Sequence, residues 1–233
     1  MNTKHSTNLY VDLSHLQSRP ADKLQSQVRT FKESPADGLV LDLYRTEHLV
    51  SSVHSLDEAR TRRDHQLDRE EFLSLHQTVQ TDSFEVLARV YDPELVRWYA
   101  EETSSNRILT HGGDITFKRL LETMNQTDLE VLLTVKASQL DTVERARTWL
   151  SDTETTLVHE EYEDEPETLT RFDALRTHFG ERIGLADPSG SRDRIDSRPI
   201  HPPSCWITRP AHPDQNGETR EQLARINEHL NQM

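Results

Sequence analysis

Apolar residues along the chain fall into two kinds of segment that alternate. Leu9 to Leu13 (L-Y-V-D-L) is a short β-prone run, and Asp22 to Ser34 carries Leu24, Val28 and Phe31 at helical spacing until Pro35 ends it. Gly38 to Tyr44 is almost continuously apolar, as expected of a strand buried on both faces of a parallel sheet. Val50 to Arg69 interrupts the alternation; rich in His, Arg and Asp and without a stripe, it reads as an exposed excursion. Asp68 is placed to cap a helix bearing Phe72, Leu75 and Val79. Phe84 to Val90 is the next strand, and Asp92-Pro93 opens a helix whose stripe is Leu95, Trp98 and Tyr99.

The same alternation runs to the end of the chain. Strands are predicted at Ile108-Leu109, Val131 to Val135, Thr156 to Glu160, Ile183 to Asp187 and Cys205 to Thr208. Between them lie helices carrying Leu140, Val143, Ala146 and Leu150, and then Leu169, Phe172, Leu175 and Phe179 up to Gly180; Leu223, Ile226 and Leu230 mark a last helix. Eight strands alternating with helices predict an α/β fold, a (β/α)8 TIM-type barrel, occupying residues 1–233 as a single domain. Between Asp187 and Cys205 there is no helical stripe, only an irregular, proline-rich loop at 188–204. The barrel is therefore expected to be incomplete, with the seventh helix missing.

Thr110 to Met124 (T-H-G-G-D-I-T-F-K-R-L-L-E-T-M) carries the densest local signal. Two glycines and an Asp follow a strand, Thr116 stands where a helix N-cap is expected, and Phe117, Leu120, Leu121 and Met124 form an inward stripe. In a barrel such a turn lies at the carboxyl edge of the sheet, where backbone N–H groups can face a ligand. The plainer reading is a connecting turn in which Asp114 and Thr116 satisfy backbone N–H groups.

Composition changes this picture in three ways. A formal charge of −14 disfavours nucleic acid and anionic membrane as partners. Arginine far outnumbers lysine, which occurs only at Lys4, Lys23, Lys32, Lys118 and Lys136, and many carboxylates with few lysines suggest a halophilic surface. Cys205 is the single cysteine, so no internal disulfide forms, and with no signal-like or membrane-length apolar run a cytoplasmic protein is expected. The histidines near the excursion, His48, His54 and His65, lack ligand spacing and read as solvated.

In their common order, four segments resemble the sialic acid (N-acetylneuraminate) synthase family. G-G-D-I-T-F-K-R-L-L-E resembles that family's S-G-D-I-T-N-x-x-L-L-E; D-G-L-V-L-D-L-Y-R-T-E-H-L-V resembles D-A-V-K-F-Q-T-Y-K-A-E-D-L-V. T-T-L-V-H-E-E-Y is similar to L-L-H-C-T-S-x-Y, and F-G-E-R-I-G-L-A-D to F-G-x-P-I-G-L-S-D-H. The resemblance runs from about Leu9 to Leu230 and implies a barrel that condenses phosphoenolpyruvate with an amino sugar, using manganese or another divalent metal. Such chemistry needs cations around phosphate and carboxylate and a metal to polarise the aldehyde.

Those residues are where the chain departs from the family. The family's lysines fall at Val40 and Leu109, a glutamine at Asp42, and the serine of S-G-D at Gly112; two metal-binding histidines align with Pro188 and Trp206. The segment S-T-P-F is replaced by Ala88, Arg89, Val90 and Tyr91, and the family's C-terminal antifreeze-like domain has no counterpart here. Asp12 takes the place of a glutamate, while Asp114, Thr116, His159 and Asp187 match directly. The resemblance thus makes Asp12 and His159 candidate catalytic residues, with Asp114, Thr116 and Asp187 as candidate substrate-binding residues. Arg45 and Arg89, just beyond strand ends, are candidate relocated cations. His159 reads first as a satisfied barrel-mouth histidine and second as a ligand, and His159, Asp187 and His201 form only a scattered metal set, so no metal site or cofactor is expected unless the family activity is retained.

Three functions follow as expectations: a non-catalytic barrel that binds a sugar or small anion or assembles with an active paralogue or a second copy; an active synthase with a rearranged site; or a carbohydrate-binding module using Trp98, Trp206 and the tyrosines. The halophilic expectation has its own test. The unfolding midpoint should rise with added salt, and undiminished stability in dilute buffer would sink it.

Overall fold

A computed structural model of the chain describes residues 7–17, 21–49, 56–81, 83–135, 140–160, 168–180, 182–187, 203–209 and 216–232. The eight strands are all parallel and hydrogen-bond in sequence order into a closed barrel. They are β1 (Asn8–Asp12), β2 (Gly38–Leu43), β3 (Glu85–Val90), β4 (Arg107–Leu109), β5 (Glu130–Val135), β6 (Thr155–Glu160), β7 (Ile183–Asp187) and β8 (Cys205–Thr208). The helices are α1 (Ala21–Lys32), α2 (Thr46–Leu49), α3 (Leu56–His65), α4 (Arg69–Val79), α5 (Pro93–Glu102), α6 (Lys118–Met124), α7 (Leu140–Trp149), α8 (Thr168–Phe179) and α9 (Asn216–Gln232). The predicted loop at 188–204 and the missing seventh helix fall mostly on residues 188–202, outside the described residues, as do His54 and His201.

Alternation along each strand produces two cores. Residues facing out, such as Leu9, Leu39, Val86, Leu133, Leu157 and Trp206, pack under the helices, and those facing in, Val40, Leu87, Leu109, Leu132, Val158 and Ile207, fill the barrel's waist. The seam between β3 and β4 is thin, with one paired position, Arg89 opposite Leu109. Tyr99 of α5 reinforces it. Its hydroxyl lies 3.0 Å from the Val86 carbonyl and 3.1 Å from that of Arg107, and Ser105 also donates to Val86. The Tyr99 ring stacks edge-on against Phe72, which carries α4 into the same layer.

Local signals worked where a cap was explicit. Asp68 and Glu71 form a reciprocal capping box on α4, and Asp92 accepts from Glu94 N–H at the start of α5 with Pro93 in the first turn. Three expectations are corrected. Residues within the exposed excursion form α3, a helix whose described side chains Arg60, Thr61, Arg63 and Asp64 are exposed and give periodicity no stripe to detect. Thr116 does not cap α6. It ends a 3-10 turn, Gly112–Thr116, that His111 caps by accepting from Gly113 N–H, and the residue before α6 is Phe117, with no side-chain cap. Phe117 itself is 41% exposed rather than inward, because the turn shifts the helix start past it.

Among the described residues no helix is long and apolar enough to cross a membrane. Gly38 illustrates how tightly the barrel closes at its amino end: a Cβ there would stand 2.3 Å from the Glu85 carbonyl oxygen and 2.9 Å from the Tyr10 ring. Gly38→Ala should therefore lower stability by about 1–3 kcal/mol through overpacking, read as a lower urea midpoint; an unchanged midpoint would contradict this contact.

Candidate functional site

The carboxyl ends of β1, β2 and β3 bring three charged side chains together at the barrel mouth. Asp12, Asp42 and Arg89 all occupy inward positions one step above the apolar waist. Arg89 Nη2 donates to Asp12 Oδ2 at 2.8 Å, and Nη1 donates to Asp42 Oδ1 at 3.0 Å. The backbone holds the carboxylates in place. Ser14 N–H donates to Asp12, and the Gln17 side-chain amide makes two hydrogen bonds to the backbone of Asp42, one to its carbonyl and one from its N–H. From the end of β8, Arg209 reaches within 3.9 Å of Asp12 Oδ2.

The two carboxyls titrate differently although they share one cation. Burial would raise Asp12, but the charge of Arg89 and the hydrogen bonds from Arg89 and Ser14 outweigh it and pull the group down to about 2. Burial dominates at Asp42, and repulsion from Asp12 adds to it, so this carboxyl is pushed up to about 6 despite Arg89. Burial also works against the charge of Arg89, yet Asp12 and Asp42 hold the guanidinium firmly protonated. Tyr91 lies above the cluster; its hydroxyl hydrogen-bonds to Asp42, and its ring stands between Tyr44 and His111 at centroid distances of 5.8 and 5.5 Å.

The remaining predicted residues are dispersed. Arg45 bonds to Asp92 at 2.7 Å and Glu94 at 3.0 Å, tying the segment after β2 to the start of α5 instead of joining the mouth. His48 contacts the same Asp92 carboxylate, so it is less simply solvated than its sequence context suggests. His159 and Asp187 are buried, and strand alternation puts both on the helix-facing side, with Leu157 and Leu185, not with Asp12 and Arg89. Thr116 is exposed. Asp114 is half-buried, its carboxyl raised by burial against the opposing pull of His111, and its Oδ2 has no hydrogen-bond partner among the described residues.

Sequence reasoning missed Gln17, Tyr91, Arg209 and Glu160 as parts of the mouth. A Cβ on Gly112 would lie 2.6 Å from Glu160 Oε2, so the glycine leaves room for that carboxylate. The signal was available in the inward register: Glu160 and Arg209 continue the positions of Val158 and Ile207. At the opposite, amino end, a cavity of about 980 Å³ is bordered by Asn8, Asp37, Glu85, Arg107, Glu130 and Glu154. Arg107 there is already engaged, donating to Tyr10 OH at 2.6 Å and to Glu130 at 2.7 Å, which fits a structural floor.

No family model and no curated protein sequence matches the chain. Its fold is similar to that of the N-acetylneuraminic acid (sialic acid) synthetase from Leptospira borgpetersenii serovar Hardjo-bovis, crystallised with citrate: 15% identity, 95% of this chain and 84% of that one, TM-score 0.79. It is similar as well to spore coat polysaccharide biosynthesis protein E from Chromobacterium violaceum, at 16% identity over 97% and 76% of the two chains, TM-score 0.78. The truncated 3-deoxy-D-arabino-heptulosonate 7-phosphate synthase from Thermotoga maritima is more distant, at 13% identity over 99% and 86%, TM-score 0.65. The chain therefore has a sialic-acid-synthase-like TIM barrel.

The described residues of the mouth do not fit a divalent metal. Trp206, at one of the two implied histidine positions, is buried on the outer face of β8, and Asp12 and Asp42 are both committed to Arg89. Among the described residues no group of three or more His, Cys, Asp or Glu is placed to hold one.

The shift of Asp42 has a direct consequence for stability. The native state holds this proton more tightly than the unfolded chain, so the contribution of Asp42 is most favourable below about pH 4 and is lost as pH rises through about 6. The stability difference between wild type and Asp42→Asn, from urea melts, should thus move in favour of the variant across that window, by roughly 1–3 kcal/mol. A flat difference would show that Asp42 is not perturbed.

Proposed function

We propose that the chain is a divergent, non-catalytic barrel of the sialic-acid-synthase type that serves sialic-acid-like sugar or surface-glycan biosynthesis as a binding or assembly partner. The observation that carries this reading is the state of Arg89, a mouth cation already neutralised by two carboxylates at 2.8 and 3.0 Å. A phosphoenolpyruvate-type trianion needs several uncommitted cations, and the family's lysine positions hold Val40 and Leu109, both buried in the apolar waist. The likeness of fold to a sialic acid synthetase and to spore coat polysaccharide biosynthesis proteins supports the pathway. An active paralogue or a second copy of this chain is the natural partner for a barrel without chemistry of its own.

A second reading, an active phosphoenolpyruvate-dependent sugar-acid synthase with a rearranged site, is favoured by Arg209. Its side chain is 38% exposed and only loosely engaged by Asp12. Calorimetric titration with phosphoenolpyruvate, with and without manganese, separates the two. Heats no larger than those of dilution are expected, and affinity of about 10 μM or better for either would overturn the non-catalytic reading.

A further inference from the structure

At the mouth, two arginines face two aspartates, and the geometry assigns them unequal roles. Asp12 is anchored from below: it accepts from Ser14 N–H through Oδ1 and from Arg89 through Oδ2, and only 6% of its side chain is exposed. Asp42 sits further out, 18% exposed, and its carboxylate holds the other end of the same guanidinium. Arg209 approaches the cluster from the opposite side of β1. Among the described residues, the charged and titratable groups that face Arg89 are Asp12 on β1, Asp42 on β2 and Tyr91 beyond β3; His111 and Asp114 beyond β4 lie against Tyr91, Glu160 on β6 lies by Gly112, and Arg209 beyond β8 lies by Asp12.

We propose that Asp42 is the built-in occupant of an anion site: its carboxylate lies on Arg89 where a small external oxyanion, carboxylate or phosphate, would otherwise be held by Arg89 and Arg209. The inference rests on the reading of the mouth as chemically silent and supplies its cause. With Asp42 ionised, the two arginines and two aspartates cancel; without that charge these four groups carry one net positive charge in a largely buried setting, where an anion is attracted more strongly than in water and Glu160 is the carboxylate left to oppose it. Asparagine keeps the shape of Asp42 and its side-chain carbonyl can still accept from Arg89, so the substitution removes the charge and little else. The elevated proton affinity of Asp42 agrees with this arrangement, since its ionised form is the one held at a cost.

The test is calorimetric titration of inorganic phosphate into the wild-type chain, Asp42→Asn, and Asp42→Asn/Arg89→Gln at neutral pH. Asp42→Asn should bind phosphate at least about tenfold more tightly than wild type, and the double variant should lose that gain. No gain in Asp42→Asn, or a gain that survives the loss of Arg89, overturns the proposal. If Asp42→Asn does not fold, Asp42→Ser, which also removes the carboxylate, is titrated with phosphate in its place; a gain over wild type supports the proposal, and no gain overturns it. The outcome is separable from that of the previous subsection: micromolar phosphoenolpyruvate binding that persists in Arg89→Gln defeats the non-catalytic reading alone, whereas an unchanged phosphate affinity in Asp42→Asn defeats the masked site alone.

Discussion

One guanidinium shared by two carboxylates is the constraint on which the upper half of the barrel depends. Asp12, Asp42 and Arg89 come from three consecutive strands, and each would be costly to bury alone. Their mutual neutralisation permits a polar layer directly above the apolar waist of Val40, Leu87, Leu109 and Leu132. The backbone conforms to the same layer. Leu13 N–H donates to the Val40 carbonyl, Ser14 N–H is taken by Asp12, and Gln17 clamps both backbone groups of Asp42, so the chain leaving β1 is fixed by the residues that fix the ion cluster. Losing Arg89 would leave two facing carboxylates in one buried layer, whereas losing Asp42 leaves a pair.

The lower half solves the same problem with different residues. Tyr10, Glu85, Arg107, Glu130 and Thr156 form a continuous hydrogen-bonded floor at the amino ends of the strands. Here too one arginine stands between two carboxylates, but a tyrosine and a threonine hydroxyl share the load, and burial raises Glu85 while hydrogen bonds from Thr156 and Arg107 bring Glu130 down despite its burial. The apolar waist separates the two clusters. A barrel built as ion layer, apolar layer, ion layer explains how a chain with an apolar fraction of only 33% still closes, since each strand needs few inward apolar residues.

Periodicity made most of this fold legible, because every strand is bounded by helical or turn signals and every well-packed helix buries a stripe. It failed where packing supplied no stripe. Arg60, Thr61, Arg63 and Asp64 of α3 are exposed, and the 3-10 turn before α6 displaced both Thr116 and Phe117 from the positions that a directly capped helix would give them. Site residues were legible only in part, for a geometric reason. Asp12 and Arg89 lie at inward positions and meet; His159 and Asp187, matched by motif, lie at outward ones, a distinction that strand parity carries and motif similarity does not. Arg45 lies beyond the strand end, where a nearby helix cap on Asp92 captures it.

The Thr110–Met124 turn and the mouth beside it share one feature. Gly112 has no side chain, and the space a Cβ would need is taken by Glu160, whose Oε2 would lie 2.6 Å from it. At the mouth Val40 and Leu109 are buried and apolar, and Arg89 has Asp12 and Asp42 as its counter-ions. Glu160 and Asp42 thus both place carboxylates at the barrel's carboxyl end. Each such carboxylate opposes an anion through a low-dielectric space. Burying it requires a cation or a hydrogen bond, and at Asp12 and Asp42 that condition is met within the chain itself.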